Sequence, residues 1–313
     1  MSNVGNLAGG DYIDQRMSET TTRTTWTVLS LLLWAAQYLE ERSFDEARLT
    51  ADLLLAHVLG LGRMDLYLQY DRPLTAQELA SFKSAFRRRL QHEPLQYITG
   101  VSVFMGHSLK VTRDVLIPRP ETEVVVEVCL DSLGRLGLSA PRVLDVGTGS
   151  GNIAIAIASR LPGAHVRAVD LSDAALEVAR RNIQRHVPER VEVVQGDLFG
   201  DLSGWGAFDL VVSNPPYVPA EEFQTLQPEI REFEPRLATT DEADGLRFLR
   251  RLCESSRELL VPGGTLCVEI AADQGEKARA VAEAAGLEQL EILHDLARLP
   301  RVLRANRGGG ART

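Results

Sequence analysis

The period of the hydrophobic pattern changes along this chain, and the change predicts two kinds of structure. Between Trp26 and Glu93, apolar residues recur at the spacing of amphipathic helices. Further along, short apolar runs alternate with helical segments, which is typical of βαβ units in a parallel sheet. We therefore expect a small helical bundle followed by a larger α/β domain.

Two capping boxes are expected to start helices in the bundle, at residues 43–46 and 75–78. The helix after the first box should end near Gly60 and Gly62, because glycine favours helix C-termini. The helices carry stripes, predicted to be core, at Leu49, Leu53, Leu54 and His57 and at Leu79, Phe82, Phe86 and Leu90.

The second half of the pattern predicts a hairpin and then a sheet. Runs at 101–104 and 109–111 flank a short turn and indicate a β-hairpin. Pro120 suits the first turn of a helix through Val124, Val125 and Val128. The predicted strands are 141–146, 166–170, 191–195, 208–213, 264–270 after a turn at Pro262 and Gly263, 287–293 and 301–305.

Polar residues follow three of these strands. The first strand contains Asp145 and leads through the glycine-rich turn 147–151 into an apolar helix. Glycines permit close approach of the backbone to a ligand, and the helix start presents free N–H groups. Asp170 ends the next strand, at the usual position of a carboxylate that binds ribose hydroxyls, and Asp197 follows the third. Each acid alone is explained by a cap or a solvated loop; together they predict a nucleotide-binding crevice.

Residues Asn214, Pro215, Pro216 and Tyr217 form a stiff corner after the fourth predicted strand. The two prolines restrict their own φ angles and the residues before them. An amide oxygen and fixed carbonyls beside an aromatic ring suit a flat, uncharged NH2 group. In isolation the tetrad is equally consistent with a proline turn closed by a tyrosine, so the crevice seventy residues upstream carries the argument.

Together these segments resemble the class I S-adenosylmethionine-dependent methyltransferases, and the Asn-Pro-Pro-Tyr tetrad is typical of members that methylate a planar nitrogen. Residues 96–100, 116–123 and 229–238 further resemble the peptide-chain release factor glutamine methyltransferases. The resemblance extends from Trp26 to Arg307. The chain departs from the family pattern in the loop 295–300, which lacks the usual glycine; the path of that loop is therefore left open, and the catalytic site is not affected.

The resemblance implies an α/β fold with a Rossmann-like seven-stranded sheet, a small N-terminal helical bundle and a linking β-hairpin. One of the last two strands is usually antiparallel. It implies S-adenosyl-L-methionine as the methyl donor and S-adenosyl-L-homocysteine as the product. The residues that would cradle the donor are Gly147, Thr148, Gly149, Ser150 and Gly151, with Asp145 at its amino-acid end, Asp170 on the ribose hydroxyls, and Asp197 and Leu198 beside the adenine.

The implied substrate is the glutamine of the Gly-Gly-Gln motif in a peptide chain release factor. Asn214 and Pro215 would accept both N–H bonds of its amide, Tyr217 would pack on it, and Pro216 completes the corner. Asn214 would also border the donor. Arg119 and Glu123 would line the entrance.

The expected domains are a disordered tail at 1–25, a helical substrate-docking domain at 26–95, a hairpin linker at 96–117, the methyltransferase domain at 118–307 and a flexible tail at 308–313. Met17 is a second candidate start.

A run of basic residues lies on the last helix of the bundle: Lys83, Arg87, Arg88 and Arg89. We predict that this run is a solvated helix face, and the alternative is a docking surface for a macromolecular substrate.

Composition narrows the function classes. The chain has 313 residues, of which 44% are hydrophobic and 25% charged, as in ordinary globular proteins. A formal net charge of −9 opposes broad attachment to nucleic acid, so no direct nucleic-acid binding is expected. Three dispersed cysteines, Cys129, Cys253 and Cys267, indicate buried thiols in a reducing cytoplasmic setting. We expect no metal site, signal peptide or membrane span.

Three alternatives remain open from the residues. A DNA or RNA adenine methyltransferase also acts on a planar NH2 group, but the acidic balance and the lack of an obvious recognition domain oppose it. A ribosomal-protein glutamine methyltransferase would use the same chemistry. A dehydrogenase or a non-catalytic nucleotide-binding module is disfavoured by the G-x-G-x-G spacing and by the tetrad.

Overall fold

The computed structural model describes residues 25–309, which divide into two compact units, the first ending at Thr99 and the second beginning at Gly100. The N-terminal unit is helical, as the periodicity predicts. Its helices are α1 (Val28–Glu40), α2 (Ala47–Leu59), α3 (Arg63–Leu68), α4 (Ala76–Leu90) and α5 (Leu95–Thr99). Their apolar faces enclose one core, which includes Leu31, Leu39, Leu54, Phe82 and Phe86.

The first predicted capping box is wrong. Helix α2 begins only at Ala47, and both Ser43 and Glu46 have left-handed backbone conformations with φ of 59° and 49°. A serine in that conformation is not the extended residue that an N-cap requires, and Glu46 makes no side-chain cap hydrogen bond. The buried face of α2 follows Ala51, Leu54 and Leu55, while the predicted stripe member His57 is exposed.

The second capping box is confirmed at the start of α4. Thr75 Oγ1 accepts from the N–H of Glu78 at 3.2 Å, and the N–H of Thr75 donates to Glu78 Oε2 at 2.8 Å. The basic residues at the other end of α4 are partly committed to the fold. Arg88 forms a two-pronged ion pair with Glu93, and Arg89 is buried against the Phe44 ring.

The C-terminal unit contains the predicted hairpin and alternating strands and helices. Its elements are β1 (Val101–Phe104), β2 (His107–Lys110), α6 (Thr122–Leu136), β3 (Arg142–Val146), α7 (Asn152–Arg160), β4 (His165–Asp170), α8 (Asp173–His186), β5 (Val191–Gln195), β6 (Phe208–Ser213), a 3-10 turn (Phe223–Thr225), α9 (Pro228–Phe233), α10 (Arg236–Thr239), α11 (Arg247–Leu259), β7 (Leu260–Glu269), α12 (Gly275–Ala284), β8 (Leu287–His294) and β9 (Pro300–Arg307).

Within residues 25–309, seven of these strands form one sheet in the order β5-β4-β3-β6-β7-β9-β8. The strands from β5 to β7 are parallel, and β9 is antiparallel to both of its neighbours. This arrangement confirms the predicted α/β fold class, including the one antiparallel strand of the last pair. The separate hairpin β1–β2 is confirmed as well.

Helices cover both faces of the sheet, which explains why its central strands are apolar. On one face, α6, α7 and α8 pack with Phe104 and Leu109 of the hairpin over Val143 and Val212. On the other face, α11 and α12 cover Leu144, Val211 and Leu266. Every residue of β6 is buried, which places the strand before the Asn214 corner at the centre of the unit.

Two local boundaries differ from the sequence prediction. Strand β7 starts at Leu260 and passes through Pro262 and Gly263, which were expected to form a turn before it. The register to β6 shifts there, because proline has no N–H for the ladder and Gly263 has a φ of +75°. Helix α6 begins two residues after Pro120, which lies in the preceding turn.

The loop between β8 and β9 compensates for its missing glycine with a strained residue. Arg298 adopts a φ of +64°, and the loop closes through hydrogen bonds between Asp295 and Leu299. The left-handed conformation costs a residue with a β-carbon roughly 1–2 kcal/mol. The loop therefore keeps a tight path at a local cost in stability.

Replacing Arg298 by glycine should relieve that strain and stabilise the C-terminal unit. Part of the gain is offset, by about 0.4–1 kcal/mol, because glycine makes the unfolded chain more flexible. We expect the thermal midpoint, followed by circular dichroism, to rise by about 1–4 °C. Arg298→Ala is the matched control, since it removes the exposed side chain and keeps the β-carbon. An equal rise in both variants would show that the side chain, not the backbone, is responsible.

Several sequence expectations lie outside the described residues. The predicted tail at 1–25 falls there except for its last residue, as do residues 310–313 of the C-terminal tail. In the described part of the chain no helix is long and apolar enough to cross a bilayer. Cys129, Cys253 and Cys267 are buried free thiols.

Candidate active site

The sheet brings the predicted site residues to one edge. Parallel pairing aligns Val146 at the end of β3 with Val169 of β4 and with Ser213 of β6. The glycine loop and the Asn214 corner therefore leave adjacent strands at the same level. A hydrogen bond of 2.7 Å from Ser213 Oγ to the Val146 carbonyl fixes this junction.

The glycine loop folds back over the end of β4. The N–H groups of Gly147 and Thr148 both donate to the Val169 carbonyl, at 2.8 and 3.0 Å. Gly147 and Gly149 have φ of +72° and +53°, and a β-carbon at either would point into open space. Their requirement for glycine is thus conformational, and the open side of the loop is accessible to a ligand.

The loop is also tied to the hairpin by Asn182 of α8, which sequence reasoning missed. Asn182 Nδ2 donates to the carbonyls of Ser150 and Lys110, each at 2.9 Å, and its Oδ1 accepts from the N–H of Lys110 at 2.7 Å. The side chain is buried and satisfies backbone groups of the glycine loop and of the end of β2. It therefore links the glycine loop to the hairpin.

Asp145 lies beneath the loop and is fully buried. Thr148 donates to its Oδ2 at 2.7 Å, whereas Oδ1 has no partner of normal geometry among the described residues. Burial raises the pKa of Asp145 to about 7, against the lowering effect of the Thr148 hydrogen bond. A buried carboxylate oxygen without a partner suits a donor group on a ligand.

Asp170 stands at the end of β4 beside the loop. Its Oδ2 accepts from the N–H of Gly149 and its Oδ1 from the N–H of Ser172, both at 2.9 Å. Burial raises its pKa, and these backbone hydrogen bonds oppose the shift. Because each carboxylate oxygen can accept more than one hydrogen bond, the half-buried side chain can still receive two hydroxyl groups.

Asp197 and Leu198 follow β5 at the same edge. Asp197 is exposed and its Oδ1 accepts from the N–H of Phe199 at 2.9 Å, which shapes the turn. Leu198 is buried, and Arg251 of α11 holds its carbonyl at 2.8 Å. Phe199 packs edge-on against Phe248 and remains 39% exposed, so this turn offers an apolar surface beside the crevice.

The Asn214 corner presents acceptors. Asn214 Nδ2 donates to Thr122 Oγ1 at 3.0 Å, so its Oδ1 is the end of the amide that remains for a ligand. Pro215 is buried, and within residues 25–309 no N–H donates to its carbonyl. Asn214, Pro216 and Tyr217 are half-buried. The corner borders the glycine-lined crevice and has two oxygens suited to N–H donors.

Tyr217 is held at both ends. Its hydroxyl donates to Glu269 Oε1 at 3.3 Å, and its carbonyl accepts from Gln274 Nε2 at 3.1 Å. Burial, with the nearby Glu269 carboxylate, raises the pKa of Tyr217 far above its usual value, so the phenol stays neutral. A fixed, uncharged ring is suited to packing on a flat group.

A second loop braces this corner. The N–H of Val218 donates to the Thr239 carbonyl, and Asp241 caps the start of α11 through the N–H of Arg247 at 3.0 Å. Gly245 lies so close that a β-carbon there would approach the Tyr217 carbonyl to 2.5 Å. The glycine is therefore required by close packing against the corner.

Arg119 and Glu123 tie segments together. Arg119 forms a two-pronged ion pair with the buried Glu234, at 2.6 and 2.7 Å, and so joins residues 116–123 to residues 229–238. Glu123 Oε1 accepts from the N–H of Met105 in the hairpin turn at 2.8 Å. These contacts give Arg119 and Glu123 a structural role, and neither residue needs a part in the chemistry.

Sequence reasoning missed Thr122, Asn182, Gly245, Glu269 and Gln274. Only Glu269 had a clear signal, because it is an acid at the carboxyl end of an apolar strand, like Asp145 and Asp170. The others are polar or small residues whose roles in the site depend on contacts with residues distant in sequence.

The residues present fit a nucleotide-like ligand. Three features lie along one edge: a cradle with open space above Gly147 and Gly149, a carboxylate with spare acceptor capacity, and a buried carboxylate oxygen that has no partner of normal geometry among residues 25–309. No group of three His, Cys, Asp or Glu side chains in the described chain could hold a metal ion.

Comparisons with known proteins identify the family and the fold. A family profile described as the PrmC N-terminal domain matches residues 30–100, and one described as a methyltransferase small domain matches residues 127–238. The hMettl16 catalytic domain, solved in complex with MAT2A 3'UTR hairpin 6, has a similar fold. Its TM-score is 0.53 at 18% identity, over 66% of this chain and 78% of that one, so the likeness concerns the fold alone.

Two curated relatives carry the family assignment. A release factor glutamine methyltransferase from Chlorobaculum tepidum is 46% identical over 286 residues, which cover 89% of this chain and 96% of that protein. Another from Geobacter sulfurreducens is 46% identical over 251 residues, covering 80% and 86%. Since this identity extends through both units of the structure, the chain belongs to the release factor glutamine methyltransferase family.

Proposed function

We propose that this protein transfers a methyl group from S-adenosyl-L-methionine to the side-chain amide nitrogen of the glutamine in the Gly-Gly-Gln motif of peptide chain release factors. One observation carries the proposal for the site. The hydrogen bond from Asn214 Nδ2 to Thr122 leaves Asn214 Oδ1 as an acceptor beside the glycine-lined crevice. A primary carboxamide has two N–H groups to match Asn214 Oδ1 and the Pro215 carbonyl.

The glycine loop and the strand-end acids would hold the donor. Gly147, Thr148, Gly149, Ser150 and Gly151 form the cradle. Asp145 would place the amino-acid end, Asp170 would accept from the ribose hydroxyls, and Asp197 and Leu198 would border the adenine. When bound, the donor supplies a methyl group on a sulfonium sulfur, which is already a good leaving group.

The protein's contribution is alignment more than basicity. An amide nitrogen is a poor nucleophile because its lone pair is delocalised into the carbonyl. Two acceptors in a rigid corner would fix the plane of the NH2 group, and the Tyr217 ring would pack against it. Positioning of this kind can contribute roughly 7–11 kcal/mol in favourable systems. The proton leaves readily once the nitrogen carries the methyl group.

We assign the N-terminal unit to docking of the release factor. On α4, Lys83 and Arg87 line a shallow cleft of about 510 Å³, together with Ala80, Ser84, Arg88 and Gln91. Burial and the neighbouring Arg87 lower the pKa of Lys83. An acidic patch on a release factor would complement this face.

Mass spectrometry of a purified release factor, after incubation with the enzyme and donor, tests the function. We expect one added methyl group on the Gly-Gly-Gln glutamine. The matched control is a release factor in which that glutamine is replaced by alanine, which should gain none. Labelled donor with DNA, RNA or ribosomal protein gives the competing arms. Label in one of these, and none in the release factor, would reject the proposal.

A further inference from the structure

Glu269 is a buried carboxylate behind the Asn214 corner. It is the last residue of β7 and only 1% exposed. Its Oε1 accepts from Tyr217 at 3.3 Å, and its Oε2 has no partner of normal geometry in the described chain. Such burial of a carboxylate costs free energy, so the packing of the sheet alone does not account for an acid here.

Thr122 connects Glu269 with Asn214. Its hydroxyl oxygen accepts from Asn214 Nδ2 at 3.0 Å, and the side chain is 1% exposed. A hydroxyl that accepts in this way still has its own proton to donate. Burial raises the pKa of Glu269 to about 7, and the neighbouring Thr122 hydroxyl is the largest of the effects that lower it. The Tyr217 hydroxyl is thus hydrogen-bonded to this carboxylate, and the Thr122 hydroxyl lies beside it.

We propose that Glu269 is a positioning residue for methyl transfer, which sets through Thr122 the orientation of the Asn214 carboxamide and holds the Tyr217 ring through its hydroxyl. This inference rests on the proposed function. An ionised carboxylate only accepts, so the Thr122 proton turns toward Glu269 and the Thr122 lone pair receives Asn214 Nδ2. Asn214 Oδ1 then faces the substrate. The reverse orientation would present one NH2 group to another.

The arrangement depends on the charge of Glu269. A protonated Glu269 would donate to Thr122 Oγ1 and no longer accept its proton, so that proton could turn toward Asn214 and favour the reverse orientation of the amide. The charged and titratable groups that face Glu269 are Tyr217, Arg301 of β9 and Glu121 before α6. Arg301 favours the ionised form, whereas burial and Glu121 oppose it. The orientation should therefore hold above a pH of about 7 and be lost below it.

Paired substitutions at Thr122 separate positioning from packing. Thr122→Val keeps the shape and removes the hydroxyl, whereas Thr122→Ser keeps the hydroxyl and leaves a small void. We expect Thr122→Val to lower kcat by about tenfold to a hundredfold with little change in the KM for the donor, and Thr122→Ser to stay near the native rate. A packing role alone predicts the opposite order.

Substitution of the acid should act through the same chain of hydrogen bonds. Glu269→Gln should lower kcat to a similar extent, and the double variant with Thr122→Val should lose no more than either single variant. The native kcat should fall as the pH drops through about 7, and Glu269→Gln should lack this fall. Asp209→Asn is the matched control, since Asp209 is a buried acid near the opposite end of β6.

Nuclear magnetic resonance of the free protein gives a readout without turnover. The side-chain NH2 signals of Asn214 should shift with a midpoint near pH 7 in the native protein and not in Glu269→Gln. A midpoint that persists in Glu269→Gln would assign the titration to another carboxyl, such as Asp145, and overturn the inference. So would a near-native kcat in both Thr122→Val and Glu269→Gln. Failure of the native enzyme to methylate a release factor would instead reject the proposed function, while the NMR titration would still test the inference.

Discussion

Asn214→Ala should reduce release-factor methylation by about a hundredfold to a thousandfold, the loss seen when one preorganised hydrogen-bonding group is removed from an active site. Asn214 Oδ1 is the side-chain acceptor of the corner, and its other end is committed to Thr122 at 3.0 Å. Without it, the substrate amide keeps only the Pro215 carbonyl and can rotate. Methylation rates at saturating donor, read by mass spectrometry, measure the effect.

Donor binding should survive this substitution. Titration calorimetry with S-adenosyl-L-homocysteine is expected to give a near-native affinity for Asn214→Ala, because the glycine loop and strand-end acids are unchanged. Asn306→Ala is a matched control. Asn306 also donates its Nδ2 to a threonine hydroxyl, Thr265 Oγ1, but in the middle of β7, away from the carboxyl end that carries the site. Near-normal turnover of Asn214→Ala would remove Asn214 from the role of amide clamp.

The parts of the fold that the sequence predicts well have strong local causes. The strand 208–213 is a continuous apolar run between polar segments, and the structure has β6 at the same residues. Thr75 and Glu78 form their capping box because both partners lie within one turn. Ser43 has the same local pattern, but the chain turns there in left-handed conformations, so α2 starts later. Local signals fail where tertiary packing sets the backbone path.

The candidate site divides in a similar way. Asp145, Asp170 and Asn214 could be found because each follows or ends a predicted strand, and parallel strands end at one edge. Their hydrogen-bond partners could not. The contact between Asn214 and Thr122 joins residues 92 positions apart, and that between Asn182 and Lys110 joins residues 72 apart. Pairings of this kind become visible only once the helices are placed on the sheet.

The loop 295–300 accommodates its missing glycine through the backbone conformation of Arg298. The sequence indicates that the loop 295–300 lacks a glycine but not whether its path changes. The loop keeps a tight turn because Asp295 pairs with both Leu299 and Arg301, while Arg298 takes the left-handed conformation. The backbone strain is confined to the loop, and β9 still pairs with both β7 and β8.

Asp170→Ala should weaken donor binding by about a hundredfold, because two hydrogen bonds to a charged carboxylate contribute about 1.5–3 kcal/mol each and one is partly replaced by water. The substitution also frees the N–H groups of Gly149 and Ser172. The loop that cradles the donor would thus lose one of its anchors at the end of β4. Calorimetric titration with S-adenosyl-L-homocysteine measures the dissociation constant directly.

The comparison of Asp170→Asn with Asp170→Ala separates the two causes. Asparagine keeps one acceptor for a backbone N–H and lacks the negative charge, so its affinity should lie between those of Asp170→Ala and the native protein. Asp173→Ala is the matched control, since Asp173 is an exposed acid three residues further on, in the first turn of α8. Because burial raises the pKa of Asp170, the native affinity should begin to fall at a higher pH than an ordinary aspartate would allow. An Asp170→Ala variant that binds S-adenosyl-L-homocysteine as tightly as Asp173→Ala does would exclude Asp170 from the ribose site.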